Sequence, residues 1–268
     1  MKRRWLMGLV MIAAAIAFVG ARAFAHGPGM WKQHLEKKLE SLLDEANATP
    51  EQRNAVRAAI DHVIATAEET HQGQPAMMDE AAKLFEADRL DANAIAQHRK
   101  QHEAAEQKIG DAVVQALSDI HDTLTPSQRR VVADAIRSHR DERGMHAEFF
   151  KRMITAKIDD ALDAANVQGA ARRAAYDARD RVFAAIEQVQ RQHVADLDQA
   201  IAIFTADKID SNAVAQLRAK HQAETKQTGD AIVAAITELH DALDAGQRKA
   251  LVEYARSHRP RWAGHHGG

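Results

Sequence analysis

Apolar residues recur along the chain at helical spacing. Ile95, Ile109, Val113, Leu117, Ile120 and Leu124, with His102 on the same stripe, follow one another in steps of three, four or seven. No strand-like alternation competes with this pattern. The spacing predicts helices over 31–46, 50–87, 92–123 and 126–143, and again over the same intervals 119 residues later. The second of these would run for about 55 Å at about 1.5 Å per residue, too long to bury itself in a compact ball. The expected fold class is therefore all-α, an extended bundle of helical hairpins with a thin core of Ala, Val and Ile.

The offset of 119 reflects a duplication. Residues 30–140 align with 149–259 without a gap, with about 40 identities in some 111 pairs. "FEADRLDANAIAQ" answers to "FTADKIDSNAVAQ", and "GDAVVQALSDIHDTL" to "GDAIVAAITELHDAL". A unit of this length exceeds a solenoid repeat, so each copy reads as a whole small domain or as one half of a paired domain. The copies differ at "HQGQPAMM", which places Gly73 and Pro75 where copy two has "QRQHVADL". Proline removes a backbone donor and clashes with the preceding turn, which predicts a break in copy one and a straighter helix in copy two.

One phrase punctuates the helices. In "LTPSQRR", Leu124 to Arg130, Thr125 and Gln128 have the spacing of a capping box around Pro126 at the first helical position. Thr49 and Gln52 repeat it in "ATPEQR", and Asp244 and Gln247 follow Leu243 in "LDAGQRK", whereas Val167 to Ala171 has lost the box. Such a cap stabilises a helix by about 1 kcal/mol and requires no chemistry. Arg53, Arg129 and Arg248, each following the glutamine, exceed what capping demands and point to a carboxylate or a neighbouring turn as partner.

The N-terminus changes the compartment. "MKRR", the apolar run Trp5 to Gly20 and the small-residue site "AFA" have the three parts of a secretory signal, which predicts a signal peptide at 1–25 and a mature start at His26. The expected location is the periplasm, the alternative being an N-terminal anchor in the inner membrane. Removing Lys2, Arg3, Arg4 and Arg22 leaves 32 basic against 38 acidic residues, a net charge of −6 that speaks against nucleic acid as partner. With no cysteine, any metal site must draw on histidine, carboxylate or methionine.

An exported, cysteine-free helical chain with Leu-Thr-x-x-Gln-type phrases before a very long helix and before the last one resembles the Spy/CpxP family of periplasmic proteins. That family includes ATP-independent chaperones, envelope-stress regulators and heavy-metal-responsive relatives. The resemblance spans residues 30–262, though only Leu124 to Gln128 matches the motif fully. It implies two tandem four-helix units, 26–144 and 145–268, the second with a His/Gly-rich tail, packed as a covalent pseudo-dimer or paired as a homodimer. It implies as leading function the binding of unfolded or misfolded envelope proteins, with a membrane-bound stress sensor as a further partner. Heavy-metal binding or sensing (zinc, copper, nickel) is the alternative.

For a client surface, Met77, Met78 and Phe85 offer apolar area beside the basic Arg89, Arg99, Lys100 and Lys108, while the repetition of Phe85 as Phe204 also suits a core role. Enzymatic signatures are lacking: there is no cysteine nucleophile, Gly-rich phosphate loop, Gly-x-Ser-x-Gly or His-Glu-x-x-His. The expectation is a non-enzymatic protein requiring no cofactor, with zinc or another divalent transition metal as candidate ligand. His98 and His102 share a helix face at the spacing of a metal-binding pair, and His26, His265 and His266 form a looser set at the ends. His102 and His221, placed by spacing on half-buried stripes, would be disfavoured as cations, so acidification is expected to loosen the fold.

Overall fold

The computed structural model describes residues 28–72, 74–140 and 144–258. Among them every element is helical: α1 (Pro28–Glu45), α2 (Pro50–Gln72), α3 (Gln74–Glu86), α4 (Ala92–Thr123), α5 (Pro126–Arg140), α6 (Gly144–Ala164), α7 (Gly169–Thr205), α8 (Ser211–Ala242) and α9 (Ala245–Ser257). The all-α expectation holds, and so do the predicted intervals to within a few residues. The predicted break falls at Gly73, outside the described residues. Helix ends at Gln72 and resumes at Gln74, whereas α7, with no glycine or proline after Gly169, runs unbroken for 37 residues. The predicted signal segment 1–25, His26, His265 and His266 also lie outside the described residues. No described helix is long and apolar enough to cross a membrane.

Local chemistry sets the turns. Asn47 and Asn166 adopt φ of 50°, a left-handed conformation that asparagine tolerates better than most residues. After α1, Ala48 N–H bonds to Leu43 O at 2.9 Å and Asn47 N–H to Asp44 O at 3.0 Å; Val167 and Asn166 repeat both bonds after α6. This pair of bonds satisfies carbonyls that a helix end otherwise leaves orphaned. Asp91 and Asp210 cap α4 and α8, accepting from the amides of Asn93 and Asn212 at 2.8 Å each.

The chain folds into two compact units that do not coincide with the two sequence copies. The first comprises residues up to 73, 103–143 and 196–218; the second comprises 74–102, 144–195 and 219 onward. Each unit therefore takes its base from one copy and a helical hairpin turn from the other. In the first, Leu39, Leu42, Leu43, Val56, Ile60, Val63 and Ile64 from α1 and α2 pack with Ile120, Leu124, Val132 and Ile136, and the core is completed by Ile201 and Phe204 from copy two. Burying a side chain of this size contributes about 1.5–3 kcal/mol, so the borrowed pair is a substantial share of this core.

The second unit is more thinly packed. Its buried cluster is Leu162, Ala165, Val167, Ala175 and Leu243, with Phe85, Ile158, Tyr176, Leu239 and Leu251 partly buried against it. The reason is legible position by position: where copy one has Leu42, Val56, Ile60 and Ile136, copy two has Ala161, Ala175, Arg179 and Ala255. The large apolar residues that stay exposed among those described, Met78, Met153, Val194 and Ile236, all belong to this unit.

Two outcomes follow from this division. Residues 26–144 alone lack Ile201 and Phe204, so by calorimetry they should show no sharp, cooperative melt; a sharp transition would mean that the base of the first unit is self-sufficient. In the intact chain, hydrogen exchange should be faster for the amides of α9 than for those of α5, because local opening costs less where fewer apolar contacts are lost. Equal protection would contradict the difference in core packing.

Candidate functional site

Each Thr-x-x-Gln phrase closes a capping box. Thr49 N–H donates to Gln52 Oε1 at 3.0 Å and Gln52 N–H to Thr49 Oγ1 at 3.3 Å; the same bonds at Thr125 and Gln128 measure 2.9 and 3.3 Å. The box at Asp244 and Gln247 is also complete, at 3.2 and 2.8 Å. Ala171 stands where a glutamine would close the box before α7, and there Gln168 bonds to Asn166 Oδ1 instead.

The two complete boxes of copy one are fastened to each other. Gln52 Nε2 donates to Gln128 Oε1 at 3.0 Å, and Gln128 Nε2 returns the bond to Gln52 Oε1 at 2.9 Å. The second hydrogen of each amide goes to a turn carbonyl, Thr123 O at 2.9 Å for Gln52 and Asn47 O at 3.3 Å for Gln128. Only a primary amide carries the two donors and the acceptor this clasp uses. Copy two cannot form it, since Ala171 replaces one partner. Sequence reasoning saw two separate caps; the signal for the clasp was the recurrence of glutamine, rather than glutamate, at the third position of both.

The arginines tie turns together. Arg53 donates to Ala48 O at 3.0 Å and pairs with Asp44 at 2.7 Å and Glu40 at 3.4 Å; Arg57's hydrogen bond, with Arg53 nearby, holds Glu40 below the usual carboxylate range despite partial burial. Arg129, buried, donates to His121 O (3.0 Å), Leu124 O (2.8 Å) and Ala206 O (3.0 Å). Arg248, also buried, donates to Leu243 O at 2.7 Å and lies 3.5 Å from Asp88. Leu124 and Leu243 themselves are core residues.

Contacts between copies come in exchanged pairs. In the first unit His121 Nε2 lies 2.9 Å from Ala206 O beside Phe204; in the second, His240 Nε2 lies 2.8 Å from Ala87 O beside Phe85. Every partner in one contact is the 119-residue counterpart of a partner in the other. Arg218 with Asp111 and Arg99 with Asp230, the latter at 2.5 Å, repeat the exchange. Hydrogen bonds from Lys226 and Arg99 hold Asp230 below the usual carboxylate range. Each unit is thus held by the same set of exchanged contacts.

The proposed client residues divide. Met78 is 57% exposed, Arg89 and Lys100 are exposed, and Met77 is partly buried. Phe85 instead packs on the second core and edge-on to His240, while Arg99 and Lys108 form ion pairs with Asp230 and, at 2.9 Å, Glu69. Of the proposed metal ligands, His98 Nε2 sits 3.3 Å from Met77 O and His102 is exposed. That exposure corrects the expectation that His102 lies half-buried on an apolar stripe: the thin end of the hairpin leaves its face to solvent. Sequence reasoning also missed a donor pair. His221 and Glu224, three apart on α8 in the second unit, bring a ring nitrogen and a carboxylate oxygen within 4.8 Å of each other, and Glu224 is buried. The signal was the His-x-x-Glu spacing, which puts both on one helix face.

These features describe an all-helical protein whose capped turns and exchanged hairpins are structural, and whose metal-competent donors are histidine and carboxylate. Residues 9–131 match the model of a family described as heavy-metal resistance, related to the Spy/CpxP-like helical proteins. The match covers most of copy one and somewhat less than half of the chain, and stops short of copy two. No curated protein and no solved structure matches the chain.

The clasp yields a double-mutant cycle. Thr125→Ala should cost about 1 kcal/mol through lost capping. Gln128→Ala, which also strands the Gln52 amide and the Asn47 carbonyl, should cost about 2–3 kcal/mol. In denaturant titrations the Gln52→Ala/Gln128→Ala double variant should lose less than the sum of the singles, by at least about 0.5 kcal/mol. Strict additivity would mean that the two amides do not cooperate.

Proposed function

We propose that this protein is a non-enzymatic, exported binder of divalent transition-metal ions that contributes to heavy-metal tolerance in the periplasm. The observation that carries this reading is the match of residues 9–131 to the heavy-metal resistance family. The donor inventory supports it: 15 histidines, all after residue 25, in a chain without cysteine. Imidazole with carboxylate suits zinc, copper and nickel. His221 and Glu224 supply two donors in fixed relation, and His98 and His102 lie in the same unit. Two protein donors fall short of the four that close a structural zinc site, which favours an exchangeable site completed by water or further side chains.

A second reading, binding of unfolded envelope proteins, is favoured by one observation: the exposed Met78, Met153, Val194 and Ile236 accompany the thinner core. Apolar area of this kind, flanked by charge, suits adaptable contact with unfolded chains.

Calorimetric titration with zinc, copper and nickel separates the two. The metal reading expects saturable binding that weakens about tenfold or more in His221→Ala/Glu224→Ala, by analogy with losses on removing groups that support metal ligands. Saturable binding that the variant leaves unchanged would move the ligands elsewhere, the terminal histidines included. No binding, with suppression of client aggregation intact, would favour the second reading.

A further inference from the structure

The turn between α3 and α4 and its counterpart between α7 and α8 each close over a base from the other copy, and different forces hold them there. In the first unit the α7–α8 turn buries Ile201, Ile203 and Phe204, at 2%, 7% and 5% exposure. At the same positions of the α3–α4 turn, in the second unit, stand Ala82, Leu84 and Phe85, each only partly buried. Apolar attraction grows with the area removed from water, so it holds the α3–α4 turn less firmly than its counterpart.

Charge makes up part of the difference. Three ion pairs join the α3–α4 hairpin to the base of the second unit: Arg256 with Glu86 at 2.8 Å, Arg99 with Asp230 at 2.5 Å and Arg248 with Asp88 at 3.5 Å. In the first unit Arg218 with Asp111 repeats the second of these. The other two are replaced. Thr205 stands in place of Glu86, while Arg137, in place of Arg256, pairs with Asp134 on its own helix; Arg129, in place of Arg248, gives Nη2 to the Ala206 carbonyl. Each pair of the second unit keeps at least one partner in contact with solvent, where dissolved salt screens it. Apolar burial carries no charge for salt to screen.

We infer that the α3–α4 turn is a strap over the second core that ionic strength opens. Dilute salt holds it closed through the three ion pairs. Concentrated salt releases it and uncovers Phe85 together with the cluster of Leu162, Val167 and Leu243 on which it packs. The α7–α8 turn, held by buried Ile201, Ile203 and Phe204, stays closed under the same conditions. Exposed apolar surface in the second unit is then greatest in concentrated salt.

Hydrogen exchange on the intact chain tests this, because a detached turn loses the packing that keeps short helical ends from fraying. From about 0.01 to about 1 M sodium chloride the screening length falls from about 30 Å to about 3 Å. Over that range the amides of 82–99 should exchange at least about threefold faster, while those of 201–218, the internal control, change by less than half as much. Arg99→Gln/Arg256→Gln should bring fast exchange of 82–99 to low salt and flatten its salt response. Acceleration that is absent, or equal at both turns, would overturn the inference, as would a double variant that keeps the parent's full salt response. Should the double variant not fold, the comparison of the two turns in the parent decides the matter alone.

Discussion

A buried imidazole must satisfy two nitrogens, and in this chain that requirement decides where the hairpin turns go. His121 and His240 find one acceptor beside them in sequence and the other in a turn from the opposite copy. The carbonyls of Ala206 and Ala87 lie just past the ends of α7 and α3, where helical partners run out. Each therefore needs a donor that the turn itself lacks. A buried Arg129 adds a second donor at Ala206, and aromatic edges from Phe204 and Phe85 close the contact on its apolar side. Apolar burial brings the turn and the base together; the polar joint fixes which residue meets which, since a slipped register would leave a ring nitrogen unpaired at a cost of about 1–3 kcal/mol.

The two joints differ around a constant centre. Copy one keeps both capping boxes, the glutamine clasp and large apolar residues in its base; copy two keeps one box and replaces several of those residues by alanine. Losing a buried Leu or Ile contribution typically costs about 2–5 kcal/mol each, so the substitutions outweigh any difference in surface ion pairs, which contribute about 0–1 kcal/mol. One unit is thus built for permanence. The other retains the joint but has fewer reasons to stay closed, and it holds the exposed methionines and the His221–Glu224 pair.

Much of the fold was legible in the sequence because its signals are local. Helical spacing, the threonine and aspartate caps, and the Gly73–Pro75 interruption each depend on a few neighbouring residues. What escaped was long-range pairing. The bond between Gln52 and Gln128 joins residues 76 apart, and that between His240 and Ala87 joins residues 153 apart. Periodicity carries no information about such partners. The duplication did carry some: histidine persists at 121 and 240, phenylalanine at 85 and 204, and alanine at 87 and 206, and these prove to be partners across copies. Burial of single residues was the least legible property, as His102 shows. Its place on an apolar stripe would bury it in a full bundle, but near a hairpin end the stripe has too little opposite it.

The histidines of this chain consequently divide by what their ring nitrogens already do. A metal ion needs an accessible imidazole lone pair, whereas His121 and His240 are buried, with Nε2 against a turn carbonyl and Nδ1 against a neighbouring carboxylate. They are poor ligands for the same reason that they are good joints. His102 is exposed and His221 stands beside a carboxylate, so neither ring is locked inside a buried joint of that kind.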